Sequence, residues 1–119
     1  MIGVITGASQ GIGEAVARRL AKEPGAKLAL LARNVEKLEA VARACEDVGA
    51  EAVVVPCDVT DEAAVHAAAA QVRERFGVAE VLVNNAGLFL PGGVLETSAS
   101  AFREQVEVNL TSAFLVTRA

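Results

Sequence analysis

Four short apolar runs, MIGVIT (1–6), KLALLA (27–32), EAVVVPC (51–57) and EVLVNN (80–85), recur along the chain, and a helix-period pattern follows each. Runs this short, rich in β-branched residues and without polar alternation, are strands buried on both faces. Parallel strands need a crossover, and right-handed helical crossovers put helices on both sides of the sheet. The alternation therefore excludes all-α and all-β folds and leaves an α/β domain on a parallel sheet. Strand order 3-2-1-4 is expected, with the third strand at an edge, where the missing N–H of Pro56 is tolerable.

The intervening patterns fix the helices. Ile12, Val16 and Leu20 form one stripe, ended by Pro24-Gly25. Asn34 reads as an N-cap for a face of Leu38, Val41, Ala42, Cys45 and Val48 that closes at Gly49. Thr60 reads as the cap of the third helix, whose stripe is Val65, Ala68, Ala69, Val72 and Phe76. A loop from Leu88 to Gly93 leads to a fourth helix, starting near Thr97 or Ser98 and running to Ala119 with no residue that closes it. Phe102, Val106, Asn109, Ala113 and Val116 share one of its faces, so Asn109 is expected to point inward, and the pattern is expected to continue past Ala119.

At 119 residues this is one domain, large enough for a core but short for an enzyme with separate cofactor and substrate regions. The net charge of −4 with scattered basic residues argues against nucleic acid or an acidic membrane as partner. No run approaches the ~20 apolar residues of a membrane span, and no basic flank precedes an apolar leader, so a cytoplasmic location is expected. Cys45 and Cys57 lack metal-ligand spacing and read as reduced, partly buried thiols; no metal site is expected. His66 has no carboxylate or cysteine at ligand spacing and reads as a surface residue.

In an open sheet of this kind ligands bind beyond the carboxyl ends of the strands, where strand order reverses, here between the first and fourth strands. Four stretches lie at such ends. Thr6-Gly7-Ala8-Ser9-Gln10-Gly11-Ile12-Gly13 follows the first strand and opens a helix. Its glycines allow close approach of a pyrophosphate, and the helix start supplies N–H donors. The spacing is G-x-x-x-G-x-G, not G-x-G-x-x-G, and a turn that merely needs small residues stays open as an alternative. Arg33 and Asn34 end the second strand with no acid beside them, which favours the 2′-phosphate of NADP over the ribose hydroxyls of NAD. Asp58 and Val59 end the third, where Asp58 either accepts from an adenine amino group, with Val59 on the ring, or helps cap the next helix. Asn84, Asn85, Ala86 and Gly87 end the fourth; the two asparagines are expected to tie neighbouring loops together, and Ala86 and Gly87 to let a ribose lie against the backbone.

Together, TGASQGIG (6–13), Asp58, NNAG (84–87) and Asn109 within EVNLTSAF make the chain resemble the short-chain dehydrogenase/reductase family over its whole length. The resemblance implies a three-layer Rossmann-like parallel sheet, of which residues 1–119 are the N-terminal part, incomplete at its C-terminus. It implies NADP in the crevice: the turn from Gly7 through Ser9, Gln10, Gly11, Ile12 and Gly13 on the pyrophosphate, Arg33 and Asn34 at the 2′-phosphate, Asp58 and Val59 at adenine, and Asn85, Ala86 and Gly87 beside the nicotinamide-side ribose. It further implies hydride transfer to or from a small carbonyl or alcohol substrate, a 3-oxoacyl group by mild preference. Homo-oligomers built through the 97–119 helix are implied as well.

In this family the asparagine at the position of Asn109 belongs to a catalytic set of Asn, Ser, Tyr and Lys, holding a water that relays protons. A bond from Asn109 to neighbouring backbone is the alternative, and both roles are compatible. The chain has no tyrosine, and its lysines, Lys22, Lys27 and Lys37, all lie upstream. Thr111 and Ser112 have no histidine or carboxylate placed to activate them as substitutes. Residues 1–119 are therefore expected to be catalytically inactive alone, as the cofactor half of an oxidoreductase. The other reading is a truncated, non-catalytic module that binds nucleotide or a partner.

Overall fold

The computed structural model describes all residues, Met1–Ala119. Its elements run β1 Ile2–Thr6, α1 Gly11–Leu20, β2 Lys27–Ala32, α2 Val35–Glu46, β3 Glu51–Pro56, α3 Glu62–Phe76, β4 Val81–Val83, α4 Ala99–Val106, a π-helical turn Glu107–Thr111 and α5 Ser112–Arg118. The strands form one parallel sheet in the order β3-β2-β1-β4. Ile5 sits between Leu30 and Val83 in register. Pro56 lies on edge strand β3, opposite Ala32.

Alternate residues of each strand face opposite sides, so each strand feeds two cores. Ile5, Leu28 and Leu30 pack with Ala17, Leu38, Val41 and Cys45 beneath α1 and α2. Val4, Ala29, Leu31 and Val55 pack with Val65, Ala68 and Val72 of α3, and Leu115 and Val116 of α5 close over that side. No helix is long and apolar enough to cross a membrane.

The elements depart from the sequence reading in five places, each with a local cause. Helix α1 buries Gly13 and Ala17, while Ile12 is 76% exposed and Val16 and Leu20 are half-buried. Small residues on this face let α1 lie against the end of β1. Val48 is exposed because α2 ends at Glu46 and Val48 belongs to the turn beyond. Asp61, not Thr60, caps α3, accepting from the Ala64 N–H, while Thr60 bonds Asp58. Strand β4 stops at Val83 rather than Asn85, because the Thr6 hydroxyl takes the N–H groups of Asn85 and Ala86. The last helix lacks one continuous stripe. Its π turn adds a residue to the period: Phe102 points outward, 62% exposed, Asn109 is exposed rather than turned inward, and Ser112 is the buried residue.

Candidate functional site

Thr6 is the hub of the crevice. It is fully buried, and its hydroxyl donates to the Val83 carbonyl and accepts from the N–H groups of Asn85 and Ala86, both at 3.0 Å. One donor and two lone pairs are all a hydroxyl has, so this side chain is fully used in tying the end of β1 to the chain leaving β4. Asn85 returns the link, its Nδ2 donating to the carbonyls of Thr6 and Gly7 at 3.1 Å.

The glycine turn is shaped by these contacts. Gly7 has φ +63°, and a Cβ there would lie 2.8 Å from Asn85 Nδ2. A Cβ on Gly13 would run into the Gly7 carbonyl and the Asn85 amide, so α1 sits this close only because residue 13 is glycine. Gly11 differs: its φ of +58° demands glycine, yet nothing lies within 4 Å of the missing Cβ. Its bare backbone faces open space.

The helix starts separate structural ends from a receptive one. Asn34, Asp61 and Ser98 each cap their helix, accepting from the N–H groups of Lys37, Ala64 and Ala101. Gln10, at the start of α1, makes no such bond. The first-turn N–H groups of a helix have no internal partner, so those of Gly11, Ile12 and Gly13 stay available to an anion at the positive end of the dipole. Gln10 instead accepts from Lys37 Nζ across the crevice mouth, at 2.6 Å. Ser9 lies half-buried in the same turn.

Arg33 and Asn34 are exposed at the end of β2, and Arg33 has no carboxylate within ion-pair distance. Asp58 serves the local role, its Oδ1 accepting from the hydroxyl and the N–H of Thr60 at 2.7 and 3.0 Å. The Thr60 hydroxyl, then its N–H, and the positive field of Arg33 hold the Asp58 carboxyl below its ordinary range. It stays ionised and exposed beside Arg33. Val59 is buried with Val55, Cys57 and Val65, so little of it is left to pack on anything else.

Across the crevice, Asn109 lies in the π turn and spends its amide on one residue: Oδ1 accepts from the Leu88 N–H at 2.8 Å and Nδ2 donates to the Leu88 carbonyl at 2.7 Å. Gln105, one turn earlier, accepts from the Leu90 N–H at 3.1 Å. The two amides hold the loop after Gly87 as successive rungs, and Gly87 fits because a Cβ there would come to 3.2 Å from Asn109 Oδ1. Asn84 bonds the Thr117 hydroxyl, tying β4 to α5. Ser112 is back-bonded to the Val108 carbonyl, while Thr111 donates to the Glu107 carboxylate at 3.3 Å, so the structure gives Thr111 the carboxylate neighbour that the sequence was not expected to place there.

The remaining candidates lie apart. His66 is exposed on α3; the sequence reading passed over Glu62 one turn earlier, whose carboxylate is 3.7 Å from Nε2. Cys45 and Cys57 are free and buried, and burial pushes both thiols up, with Asp58 and Asp61 adding to the effect at Cys57. An apolar recess of about 250 Å³ between α3 and α5, lined by Val65, Leu82 and Val116, shares no residue with the crevice.

This assembly is a glycine turn opening an uncapped helix opposite Asn-Asn-Ala-Gly, with Asn109 holding the loop beyond Gly87. The short chain dehydrogenase family model matches residues 2–119. The chain belongs to the short-chain dehydrogenase family. A 2,3-dihydro-2,3-dihydroxybenzoate dehydrogenase of Bacillus subtilis is 41% identical over 117 residues, covering 98% of this chain and 44% of the relative. An alcohol dehydrogenase of Thermococcus sibiricus, solved with 5-hydroxy-NADP, superposes with a TM-score of 0.93 at 42% identity over 98% of this chain and 50% of its own. A metagenomic short-chain oxidoreductase solved with NADP has a TM-score of 0.92 and 40% identity, covering 100% of this chain and 54% of the other. The chain thus spans about half the length of the relatives it matches.

Three residues that build this short-chain dehydrogenase crevice escaped the sequence reading. Thr6 was part of the motif but carried no assigned role, although a threonine at the end of a buried strand must bond something. Gln105 stands four residues before Asn109, a helical spacing that signals a shared face. Nothing in the sequence marks the Lys37–Gln10 contact, which joins residues 27 positions apart.

Proposed function

We propose that this chain is the NADP-binding part of a short-chain dehydrogenase that moves hydride between the nicotinamide and a small carbonyl or alcohol. The observation that carries the reading is the start of α1, left without a side-chain cap and with open backbone at Gly11, facing Asn85–Gly87 across the crevice. The residues fit the cofactor. The N–H groups from Gly11 to Gly13, with Ser9 and Gln10 at the rim, would hold the pyrophosphate. Arg33, unpaired and beside Asn34, would take the 2′-phosphate, which two solved relatives carry in their ligands. Asp58 keeps its second oxygen for the adenine amino group, and Val59 would offer the ring only its edge. Asn85, Ala86 and Gly87 would line the nicotinamide-side ribose, their backbone fixed by Thr6.

The bound nicotinamide would supply the hydride acceptor or donor. The chain's own residues orient and position. Asn109 holds the loop at Leu88 with both amide atoms, and a second lone pair and a second N–H remain for a relay water. Residues 1–119 contain no tyrosine, so the family's usual proton donor to a substrate carbonyl is not among them. Exposed Phe102, Leu110 and Phe114 on the last helix support assembly of copies through residues 97–119. The test is titration with NADPH and NADH: tighter NADPH binding, reversed toward NADH by Arg33→Asp, is expected, and equal affinities would refute the NADP assignment.

A further inference from the structure

We propose that Lys37 is a second cation for the 2′-phosphate of the adenosine ribose, held at the crevice mouth by Gln10; the inference rests on the nucleotide reading above. Lys37 lies in the first turn of α2, where side chains lean back toward the helix N-terminus. That turn is pinned, because Asn34 Oδ1 accepts from the Lys37 N–H at 3.0 Å. The ammonium then crosses to the start of α1 and donates to Gln10 Oε1 at 2.6 Å.

Three features make this more than a surface lysine. The partner is a neutral amide, which orients the ammonium without cancelling its charge, and no carboxylate lies within ion-pair distance of Nζ. An ammonium has three donors, so two remain. The first turn of a helix is also the unfavourable end for a cation, a placement that an arriving anion would relieve. Finally, Gln10 uses its side chain on Lys37 instead of capping α1, so one contact leaves the pyrophosphate seat open and sets a charge at its rim. A nucleotide with its pyrophosphate on α1 and its adenosine toward the end of β2 would bring its 2′ oxygen toward the strand end that Arg33 follows and the first turn of α2 that carries Lys37. Arg33 would grip a phosphate there as a planar fork and Lys37 as a point charge.

The test compares ADP-ribose with 2′-phospho-ADP-ribose by calorimetry on the purified protein, a binding readout independent of turnover. The wild type is expected to prefer the phosphorylated ligand. Lys37→Gln should weaken that ligand by about tenfold, the scale of one charge-assisted hydrogen bond, with ADP-ribose affinity unchanged and Lys37→Arg retaining most of the preference. The inference is overturned if Lys37→Gln keeps the full preference while Arg33→Ala loses it, or if Lys37→Gln weakens both ligands equally. A wild type with no preference would instead remove the NADP reading itself, and this inference with it.

Discussion

Replacing Thr6 by valine keeps the shape of the side chain and removes only its oxygen. The hydroxyl makes three bonds, to the Val83 carbonyl and the N–H groups of Asn85 and Ala86. The Asn85 N–H has a second acceptor in the Val83 carbonyl at 3.0 Å, so it is not orphaned. The Ala86 N–H has none. Leaving one partly buried donor unsatisfied costs about 1–3 kcal/mol, and each lost bond adds about 1 kcal/mol or less. Partial exposure of Asn85 and Ala86 lets water recover some of this, so the loss should be about 2 kcal/mol. With a urea slope near ~1.5 kcal/mol/M, the unfolding midpoint should fall by about 1 M at unchanged slope. Thr6→Ser keeps the oxygen and loses one buried methyl, about 1 kcal/mol. Urea titrations of the three proteins decide the matter: valine costing no more than serine would refute the hub role of the hydroxyl.

Other consequences are equally direct. Gly13→Ala would push α1 off the end of β1 and should cost about 2 kcal/mol or more along with NADPH binding; retention of both in denaturation and calorimetry would argue against the close packing. Asn109→Leu removes both bonds to Leu88 and should speed hydrogen exchange at the Leu88 and Leu90 amides while the β1 and β2 amides stay protected. Asp58 should titrate by NMR below the usual carboxylate value. Since a depressed carboxyl contributes stability above its unfolded pKa and loses it as pH falls through the folded one, Thr60→Val should raise that titration and shrink the acid-side loss. Cys45 and Cys57 should resist a thiol reagent at neutral pH until the protein is unfolded. Residues 1–119 alone should show no carbonyl reduction, and turnover abolished by Asn109→Ala would contradict this.

The sheet was legible because buried parallel strands leave continuous apolar runs, and Pro56 marked the edge. The cap at Asn34 was readable for a similar reason: a short polar side chain at a helix start has one common use, whereas Thr97 and Ser98 both suited the start of the fourth helix and the structure selects Ser98. The face of α1 was not, since apolar spacing points to Ile12 and the packing is decided by the absence of side chains at Gly13 and Ala17. The phase of the last helix was hidden too, because a π turn changes the period and no residue type announces it. At the site, the motifs foretold which strand ends converge. The bonds that hold them, from Thr6, Gln105 and Lys37, depend on distances between chain segments that spacing does not encode.

The central claim is that a pyridine nucleotide lies between the start of α1 and the chain leaving β4. The most direct measurement is an amide chemical-shift map of the protein titrated with NADPH. The account predicts saturable shifts concentrated at Gly11, Ile12, Gly13, Arg33 and Asn85–Gly87. No saturable shifts, or shifts centred on the apolar recess between α3 and α5 with the glycine turn unmoved, would contradict it.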